Sequence, residues 1–374
     1  MTRRTFLKYM TGFLLASAGA GGAGYGFMQK KMFGALPDEK LIKELMRSSH
    51  YYRGEFHNLV EHAVLSDKSS AVMALLRSVL KRKENPFPVN PVPVKKNAFA
   101  GLEKQNDRLV WLGHSSFFMQ LAGKRILIDP VFSAYASPVF FSVRAFAGAT
   151  PYSADDFPFL DYVFISHDHW DHLDYPTMMQ LKPKLGKIIC GLGVKSHLLR
   201  WGFADTQILE GDWGNSFALA DTLRVHFIPS QHFSGRTLTR NKTLWCGFVL
   251  ETPQQKILFS GDTGYESHFA EIGKTLNGID LALLDCGQYN DSWRYVHMTP
   301  EQASQAALDL KASALLPMHI GKFSLAYHAW NDPFIRIKNA SANKPYQLLT
   351  PLIGEAVELA YPLPTFSSWW ETVE

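Results

Sequence analysis

The segment 166–173, with the sequence SHDHWDHL, constrains this chain most, because three histidines and two aspartates fall within six of its residues. The preceding run 161–165 is apolar and rich in β-forming residues, which predicts a buried strand ending where the polar segment begins. An extended backbone turns His167 and His169 to the same side. Neutral imidazole and carboxylate are ligands that zinc prefers outside thiolate sites. We therefore predict a metal-binding segment, called the metal loop below, in preference to a solvated polar loop.

One loop cannot complete two metal sites, so this hypothesis requires further ligands elsewhere in the chain. His232, Asp262 and His319 each follow a strand-like apolar run, the same position that the metal loop occupies. We expect His167, His169 and His232 to hold one metal ion. Asp171, His172 and His319 are expected to hold the second ion, with Asp262 shared. Two glycines flank Asp262 and would let its carboxylate project from a tight loop, although an ordinary turn aspartate is the alternative.

The first 31 residues carry five basic residues and no acidic residue. An arginine pair at Arg3 and Arg4, followed by a weakly apolar tract rich in Gly and Ala, is typical of a twin-arginine export signal. Two outcomes are open. The signal is cleaved near Ala18 or Ala20, or residues 9–29 remain as a membrane anchor. Either outcome predicts a periplasmic protein or one held on the periplasmic face of the inner membrane, and a cytoplasmic protein is the alternative.

Residues 32–107 are predicted to form a helical extension with a proline-rich connector. Helices are expected after Asp38 as an N-cap, over 55–65 and over 69–81. The prolines in 85–94 exclude a helix and favour an extended segment lying along the main domain. His50, His57 and His62 are interpreted as surface or packing residues. The main domain is expected over 108–356, with a tail over 357–374.

Composition excludes some classes of function. Hydrophobic residues make up 46% and charged residues 19%, which is ordinary for a globular protein. Without the first 31 residues the chain has 33 basic and 34 acidic residues, so charge gives no argument for nucleic-acid binding. The three cysteines are too few and too scattered for a disulfide framework.

Taken together, these motifs resemble the metallo-β-lactamase superfamily and, more narrowly, the N-acylphosphatidylethanolamine-hydrolysing phospholipase D family. The similarity covers about residues 86–335 and includes positions that are not predicted ligands. The matching segments are 111–114 (WLGH), 129–132 (DPVF), 166–173, 231–232 (QH), 236–238 (RTL), 244–245 (LW), 261–265 (GDTGY), 271–274 (EIGK), 297 with 300–301, and 318–319 (MH).

The resemblance implies an α/β fold, the αββα sandwich, with two Zn²⁺ ions per chain. It also implies a phosphodiesterase that releases phosphatidate and an N-acylethanolamine from a phospholipid, and a membrane surface as partner. Trp170 and His297 are then expected to contact substrate. The family usually has tyrosine where this chain has Trp170, which loses a hydroxyl group. His114 is expected either to line the site or to hydrogen-bond the metal loop. The oligomeric state is open, a homodimer included.

The expected mechanism is attack on phosphorus by a hydroxide that bridges two zinc ions beside Asp262. His297 would either protonate the leaving oxygen or orient the phosphate. The main alternative is hydrolysis of a lactone, a β-lactam or a thioester at the same site, because a fold does not fix a substrate. The aromatic segment 131–159 and the tail favour a lipid. A catalytically inactive, membrane-tethered binding protein is the remaining alternative, although every predicted ligand is present.

Overall fold

We describe the fold from a computed structural model, which covers residues 22, 24–64, 85–99 and 106–373. Most of the predicted export signal and the whole of the predicted helix 69–81 lie outside these residues. In the described part of the chain, no helix combines the length and apolar character needed to cross a membrane.

The described chain alternates short strands with helices. The strands are β1 Tyr51–Tyr52, β2 Glu55–Phe56, β3 Arg108–Trp111, β4 Phe117–Leu121, β5 Lys124–Ile128, β6 Leu160–Ile165, β7 Leu185–Gly191, β8 Ile208–Gly211, β9 Ser216–Ala220, β10 Leu223–Ile228, β11 Gly247–Glu251, β12 Lys256–Phe259, β13 Ile279–Asp285, β14 Ala312–Met318, β15 Gln347–Leu348 and β16 Ala356–Glu358. The α-helices are α1 Glu39–Leu45, α2 Tyr175–Leu181, α3 Lys195–Arg200, α4 His268–Thr275, α5 Pro300–Asp309 and α6 Asp332–Ala340.

Two seven-stranded sheets form the centre of the molecule. Their strand orders are β16-β3-β4-β5-β6-β7-β8 and β15-β14-β13-β12-β11-β10-β9. Successive side chains point to opposite faces of a strand, so Phe164 belongs to the core between the sheets and Val163 to the core under the outer helices. Helices α2 and α3 cover the outer face of the first sheet, and α4, α5 and α6 cover that of the second. This is the predicted αββα sandwich.

Parallel strands concentrate functional residues at one edge of the sandwich. In the first sheet β5, β6 and β7 are parallel neighbours, and in the second sheet β12, β13 and β14 are. The carboxyl ends of parallel strands meet at the same edge of a sheet. The metal loop follows β6, Asp262 follows β12, and His319 follows β14. The predicted ligands are therefore brought to one edge by topology.

The N-terminal extension contains less helix than the sequence predicts. The helix after Asp38 is confirmed, and the Asp38 carboxylate accepts a hydrogen bond of 2.8 Å from the Leu41 N–H group. The prediction of a helix over 55–65 is wrong. Positive φ angles at Arg53 and Gly54 make a tight turn, and β1 and β2 form a hairpin on either side of it. The connector runs along the main domain as predicted, with a β-bridge between Val94 and Ile353.

The two tryptophans of the C-terminal tail belong to the core and do not form a lipid-facing surface. Trp369 and Trp370 are 5% and 2% exposed, and both pack against Phe334 of α6. Strand β16 also crosses the expected boundary at residue 356 and pairs with β3. The tail therefore gives no argument about the substrate, contrary to the interpretation from its aromatic sequence.

Candidate metal centre

The structure brings all seven predicted ligands together at the edge of the sandwich where the carboxyl ends of the parallel strands meet, called the metal edge below. Together with His114 they form two groups of four side chains whose ligand atoms lie within 4.8 Å of one another, and Asp262 also belongs to a smaller group with His297 and His319. The first group is His167, His169, His232 and Asp262, and the second is His114, Asp171, His172 and His319. Apart from His114, this division is the one expected from the sequence.

In the first group, three imidazole nitrogens face a common point. His167 Nε2 lies 2.9 Å from His169 Nδ1, which in turn lies 3.2 Å from His232 Nε2. The other ring nitrogen of His232 contacts the Val296 carbonyl at 3.0 Å, and because a carbonyl only accepts, Nδ1 donates. The Nε2 lone pair is thereby left to face the other two rings. A hydrogen-bond partner on the other ring nitrogen, which fixes the tautomer, is typical of metal-bound histidine.

Asp262 lies between the two groups. Its Oδ2 atom is 3.7 Å from His167 Nε2 and 3.1 Å from His172 Nε2, and its Oδ1 atom is 3.0 Å from His319 Nδ1. One carboxylate thus faces nitrogens of both groups. Gly261 precedes it with a φ of +61°, and an added Cβ atom there would lie 2.7 Å from the Cys246 carbonyl oxygen. The glycine permits the backbone turn that places Asp262.

His114 contacts the metal loop directly. Its Nε2 atom lies 2.9 Å from Asp171 Oδ2, and its ring packs on His319 with centroids 4.1 Å apart. Of the two roles expected for His114, the structure shows the hydrogen bond to the metal loop. The ring is fully buried, and burial lowers its pKa to about 4, so the imidazole is neutral and donates to the carboxylate.

Asp129 is a site residue that our assignment of ligands omitted. Its Oδ2 atom accepts from His172 Nδ1 at 2.7 Å and from the Ser166 hydroxyl at 2.5 Å. It thus orients one ligand from behind the metal loop. The signal was in the sequence, because 129–132 was among the matched segments, but a single aspartate after a strand does not reveal which histidine it will contact.

Three residues of the site have unusual backbone geometry. The φ angles of His114, Asp129 and His319 are +56°, +41° and +64°, a region that residues other than glycine seldom adopt. Each such residue costs on the order of 1–3 kcal/mol, and the cost is tolerated where the surroundings fix the conformation. Strain of this kind is concentrated at functional sites, and here each of the three residues contacts a predicted ligand: His114 contacts Asp171, Asp129 contacts His172, and His319 contacts Asp262.

Burial and charge set the protonation of the ligands. Burial lowers the pKa of His169 to about 4 and holds the pKa values of His167 and His232 well below the ordinary range, so the three histidines of the first group are neutral, as histidine ligands must be. The pKa of His172 is raised well above its usual value: burial alone would lower it, but the negative charges of Asp262 and Asp171 outweigh burial. The carboxylates around His172 therefore stabilise a positive charge at the second group.

The residues present fit a pair of divalent cations. The Nε2 atoms of His172 and His319 are buried without a hydrogen bond among the described residues. Leaving such an atom unsatisfied costs about 1–3 kcal/mol. Metal coordination would satisfy both atoms, and the whole donor set consists of imidazole and carboxylate, which zinc accepts in four-coordinate sites.

Trp170 has protein partners on both sides. The edge of its ring meets Phe33, with centroids 5.0 Å apart, and the Arg236 guanidinium lies 3.9 Å from the ring centre. Arg236 donates to the carbonyl oxygens of Asp168 and Leu173 at 2.8 and 2.7 Å, so it holds the metal loop on both sides of Trp170. The structure places Trp170 as a packing residue of the loop, and its expected contact with substrate remains a prediction.

His297 lies beside the ligands and lines a cavity. Its ring stacks on His319 with centroids 4.9 Å apart, and Asp285 Oδ2 accepts from its Nδ1 atom at 2.9 Å. The cavity has a volume of about 540 Å³ and a polar lining that includes Tyr289, Arg294 and Tyr327. His297 is thus the side chain through which the cavity meets the metal centre.

Comparison with known proteins agrees with this geometry. Residues 124–320 match the model of the beta-lactamase superfamily domain. The chain belongs to the beta-lactamase superfamily. An uncharacterised protein of Mycobacterium tuberculosis is 35% identical over 89% of this chain and 90% of its own length. The superfamily match runs from β5 to the residues just after β14, and all seven predicted ligands lie within it.

One further sequence relative and one solved structure resemble this chain. The N-acyl-phosphatidylethanolamine-hydrolyzing phospholipase D 1 of Caenorhabditis elegans is 29% identical over 58% of this chain and 64% of its own length. The metallo hydrolase Igni18 of Ignicoccus hospitalis superposes with a TM-score of 0.53 at 23% identity, over 68% of this chain and 98% of its own. The present chain is a metal-dependent hydrolase of the metallo-β-lactamase fold.

Proposed function

We propose that this protein is a zinc-dependent phosphodiesterase that hydrolyses N-acylated phosphatidylethanolamine to phosphatidate and an N-acylethanolamine. The observation that carries the proposal is the position of Asp262 between two groups of ligands, with His297 beside them. Two neighbouring cations suit transfer of a phosphoryl group, because attacking and leaving oxygens are stabilised together. The similarity to the phospholipase D of C. elegans supports a lipid diester.

The protein's own residues would supply orientation and proton transfer. When bound, two zinc ions provide a Lewis acid and lower the pKa of water near the phosphorus atom. Asp285 holds His297 by Nδ1, and Nε2 would then serve the leaving oxygen. Burial lowers the pKa of His297, but Asp285 and Asp262 outweigh it and raise that pKa, so a proton is available for donation. The polar cavity beyond His297 would receive the headgroup side of the diester.

Replacing His297 with glutamine is expected to separate proton donation from phosphate binding. If His297 protonates the leaving group, kcat falls about 10²-fold for an alkyl leaving group and hardly changes for p-nitrophenolate, which needs no proton. Single-turnover rates for the two diesters give the comparison, at equal zinc content. An equal loss for both substrates would instead assign His297 to phosphate orientation, and no loss for either would remove it from the reaction.

The loop 134–145, called the Phe140 loop, would bring the lipid surface to the metal centre. Phe140 and Phe141 at its tip are each 77% exposed. Its base is held by backbone hydrogen bonds from Ala136 to Val143 and from Ala145 to Ala134. No acidic residue occurs from 130 to 154, and Arg144 is the single charged residue there. An exposed aromatic pair with a nearby cation suits an interface of anionic phospholipids.

A fluorescent label on the tip tests this contact. The three native cysteines are buried, so an environment-sensitive dye can be attached to Phe141→Cys alone. Vesicles of phosphatidylethanolamine and phosphatidylglycerol are expected to shift its emission to the blue, and brominated acyl chains to quench it. Tyr361→Cys is the matched control, because Tyr361 is exposed and contacts the amino end of β13, away from the metal edge. A shift at Tyr361 and none at Phe141 would contradict the proposed orientation.

We further propose that the protein acts in the periplasm or on the periplasmic face of the inner membrane, where the twin-arginine pattern at Arg3 and Arg4 would direct it. Substrate profiling tests the activity itself. The zinc-loaded protein is expected to turn over N-acylated phosphatidylethanolamine and to release phosphatidate, measured by mass spectrometry. Turnover of a lactone, β-lactam or thioester without any turnover of diesters would refute the phosphodiesterase and support the other hydrolase activity.

A further inference from the structure

We propose that the N-terminal extension is a structural part of the metal centre, and that Asn58 is a positioning residue for the ligand His232. Asn58 lies outside residues 124–320, which match the superfamily domain. The inference concerns metal binding, so it holds whichever substrate the centre hydrolyses.

His232 lacks the support that a strand would give. Strand β10 ends at Ile228, and His232 lies in the irregular chain that follows, although the side chain is 1% exposed. A buried backbone needs partners for both its N–H and its carbonyl group. Sheet hydrogen bonds are not available to it there, so its orientation depends on other contacts.

The Asn58 side chain makes both of these contacts. Its Nδ2 atom donates to the His232 carbonyl at 2.8 Å, and its Oδ1 atom accepts from the His232 N–H group at 3.1 Å. Oδ1 also accepts from Trp245 Nε1 at 2.9 Å, which fixes the orientation of the amide. One side chain thus replaces the pair of bonds that a neighbouring strand would make. Nearby, Gln231 donates to the Val60 carbonyl at 2.8 Å, so the extension holds two consecutive residues.

The same extension reaches the other side of the centre. Arg236, which holds the metal loop, also donates from Nη2 to the Met32 carbonyl at 2.9 Å. The Ala35 N–H group donates to His197 Nδ1 at 3.1 Å, and His197 Nε2 lies 3.0 Å from Asp168 of the loop. Residues 32–60 therefore contact both peptide segments that supply the histidines of the first group, through Phe33 at Trp170 and through Asn58 at His232. Partners that orient ligands typically change metal affinity 10–100-fold when removed.

Zinc affinity of Asn58 variants tests the inference. Asn58→Leu removes both hydrogen bonds to His232 and is expected to raise the zinc Kd about 10–100-fold. Competition with a chromogenic chelator measures the Kd. Asn58→Asp keeps the acceptor but places an oxygen against the His232 carbonyl, so a smaller increase is expected. The cobalt-substituted variants should show a shifted d–d absorption spectrum, because the His232 ring is displaced.

The control is Lys242→Met, which breaks a 2.6 Å hydrogen bond to the Gly54 carbonyl on the same extension without touching a ligand. It is expected to keep the zinc Kd and the cobalt spectrum of the native protein. If Asn58→Leu does not fold, Asn58→Asp decides the question. A native zinc Kd and cobalt spectrum in the Asn58 variant, with only a lower melting temperature, would overturn the inference and leave Asn58 a purely structural residue.

Discussion

Replacing Asp262 with asparagine is expected to lower kcat/KM about 10³-fold or more and to reduce the metal content. The carboxylate faces nitrogens of both ligand groups at 3.0–3.7 Å, so its loss affects both cations. Asparagine has nearly the same shape but supplies no charge, and its NH₂ group would face His172 Nε2 or His319 Nδ1. A loss of about 4 kcal/mol of transition-state stabilisation corresponds to about 10³ in rate. Metal analysis and steady-state kinetics measure the two effects.

The control is Glu251→Gln, which removes the charge from another carboxylate paired with histidine. Glu251 Oε2 lies 2.7 Å from His226 Nε2, at the end of β11 opposite the metal edge. His226 lies within β10 and belongs to neither ligand group. This variant should keep its metal and at least half of the native kcat/KM. Native activity in Asp262→Asn would contradict the assignment of Asp262 as the shared ligand.

The clustering of the candidate metal ligands could be predicted from the sequence because each follows a recognisable strand. Apolar runs of four to seven residues locate β6, β12 and β14, and parallel pairing then places their carboxyl ends together. His167, Asp262 and His319 were found in this way without knowledge of any distance. The dense spacing in the metal loop reinforced the prediction, since histidine and aspartate rarely cluster without a ligand role.

The residues that orient the ligands could not be predicted, because they lie far away in the sequence and act through single hydrogen bonds. Asn58 is 174 residues from His232. An isolated asparagine in a polar segment has no distinctive periodicity. The helix expected over 55–65 failed for a related reason: the turn at Gly54 and the pairing of Phe56 with Asn241 override local helix propensity.

The buried tryptophans of the tail show a different limit. Trp369 and Trp370 have the composition of a membrane-contacting segment, and the sequence does not reveal that Phe334 covers them. By contrast, Phe140 and Phe141 have no comparable cover, and they lie on a loop whose base adjoins the metal edge through Phe323 and His114. Burial in three dimensions, which a sequence pattern does not contain, separates the two aromatic pairs.

Removing the metal with a chelator is expected to lower the melting temperature by about 10 °C. A ligand present at 1,000 times its Kd stabilises the folded state by about 4 kcal/mol, and for a domain of this size 1 kcal/mol corresponds to about 2–4 °C. The nitrogens of His167 and His169 lie 2.9 Å apart and the carboxylates of Asp171 and Asp262 both face His172, so bound cations would favour this close grouping of polar atoms. Scanning calorimetry before and after dialysis against the chelator measures the difference.

Two comparisons make this result specific to the metal centre. Adding zinc to the dialysed protein should restore the melting temperature, whereas magnesium, which prefers oxygen ligands in octahedral geometry, should not. Asp262→Asn should show a smaller decrease on chelation than the native protein, because it begins with less bound metal. A melting temperature that stays constant while metal analysis confirms removal would mean that the two ligand groups are held by the sandwich alone. The strained backbone at His114, Asp129 and His319 would then be stabilised by packing and not by coordination.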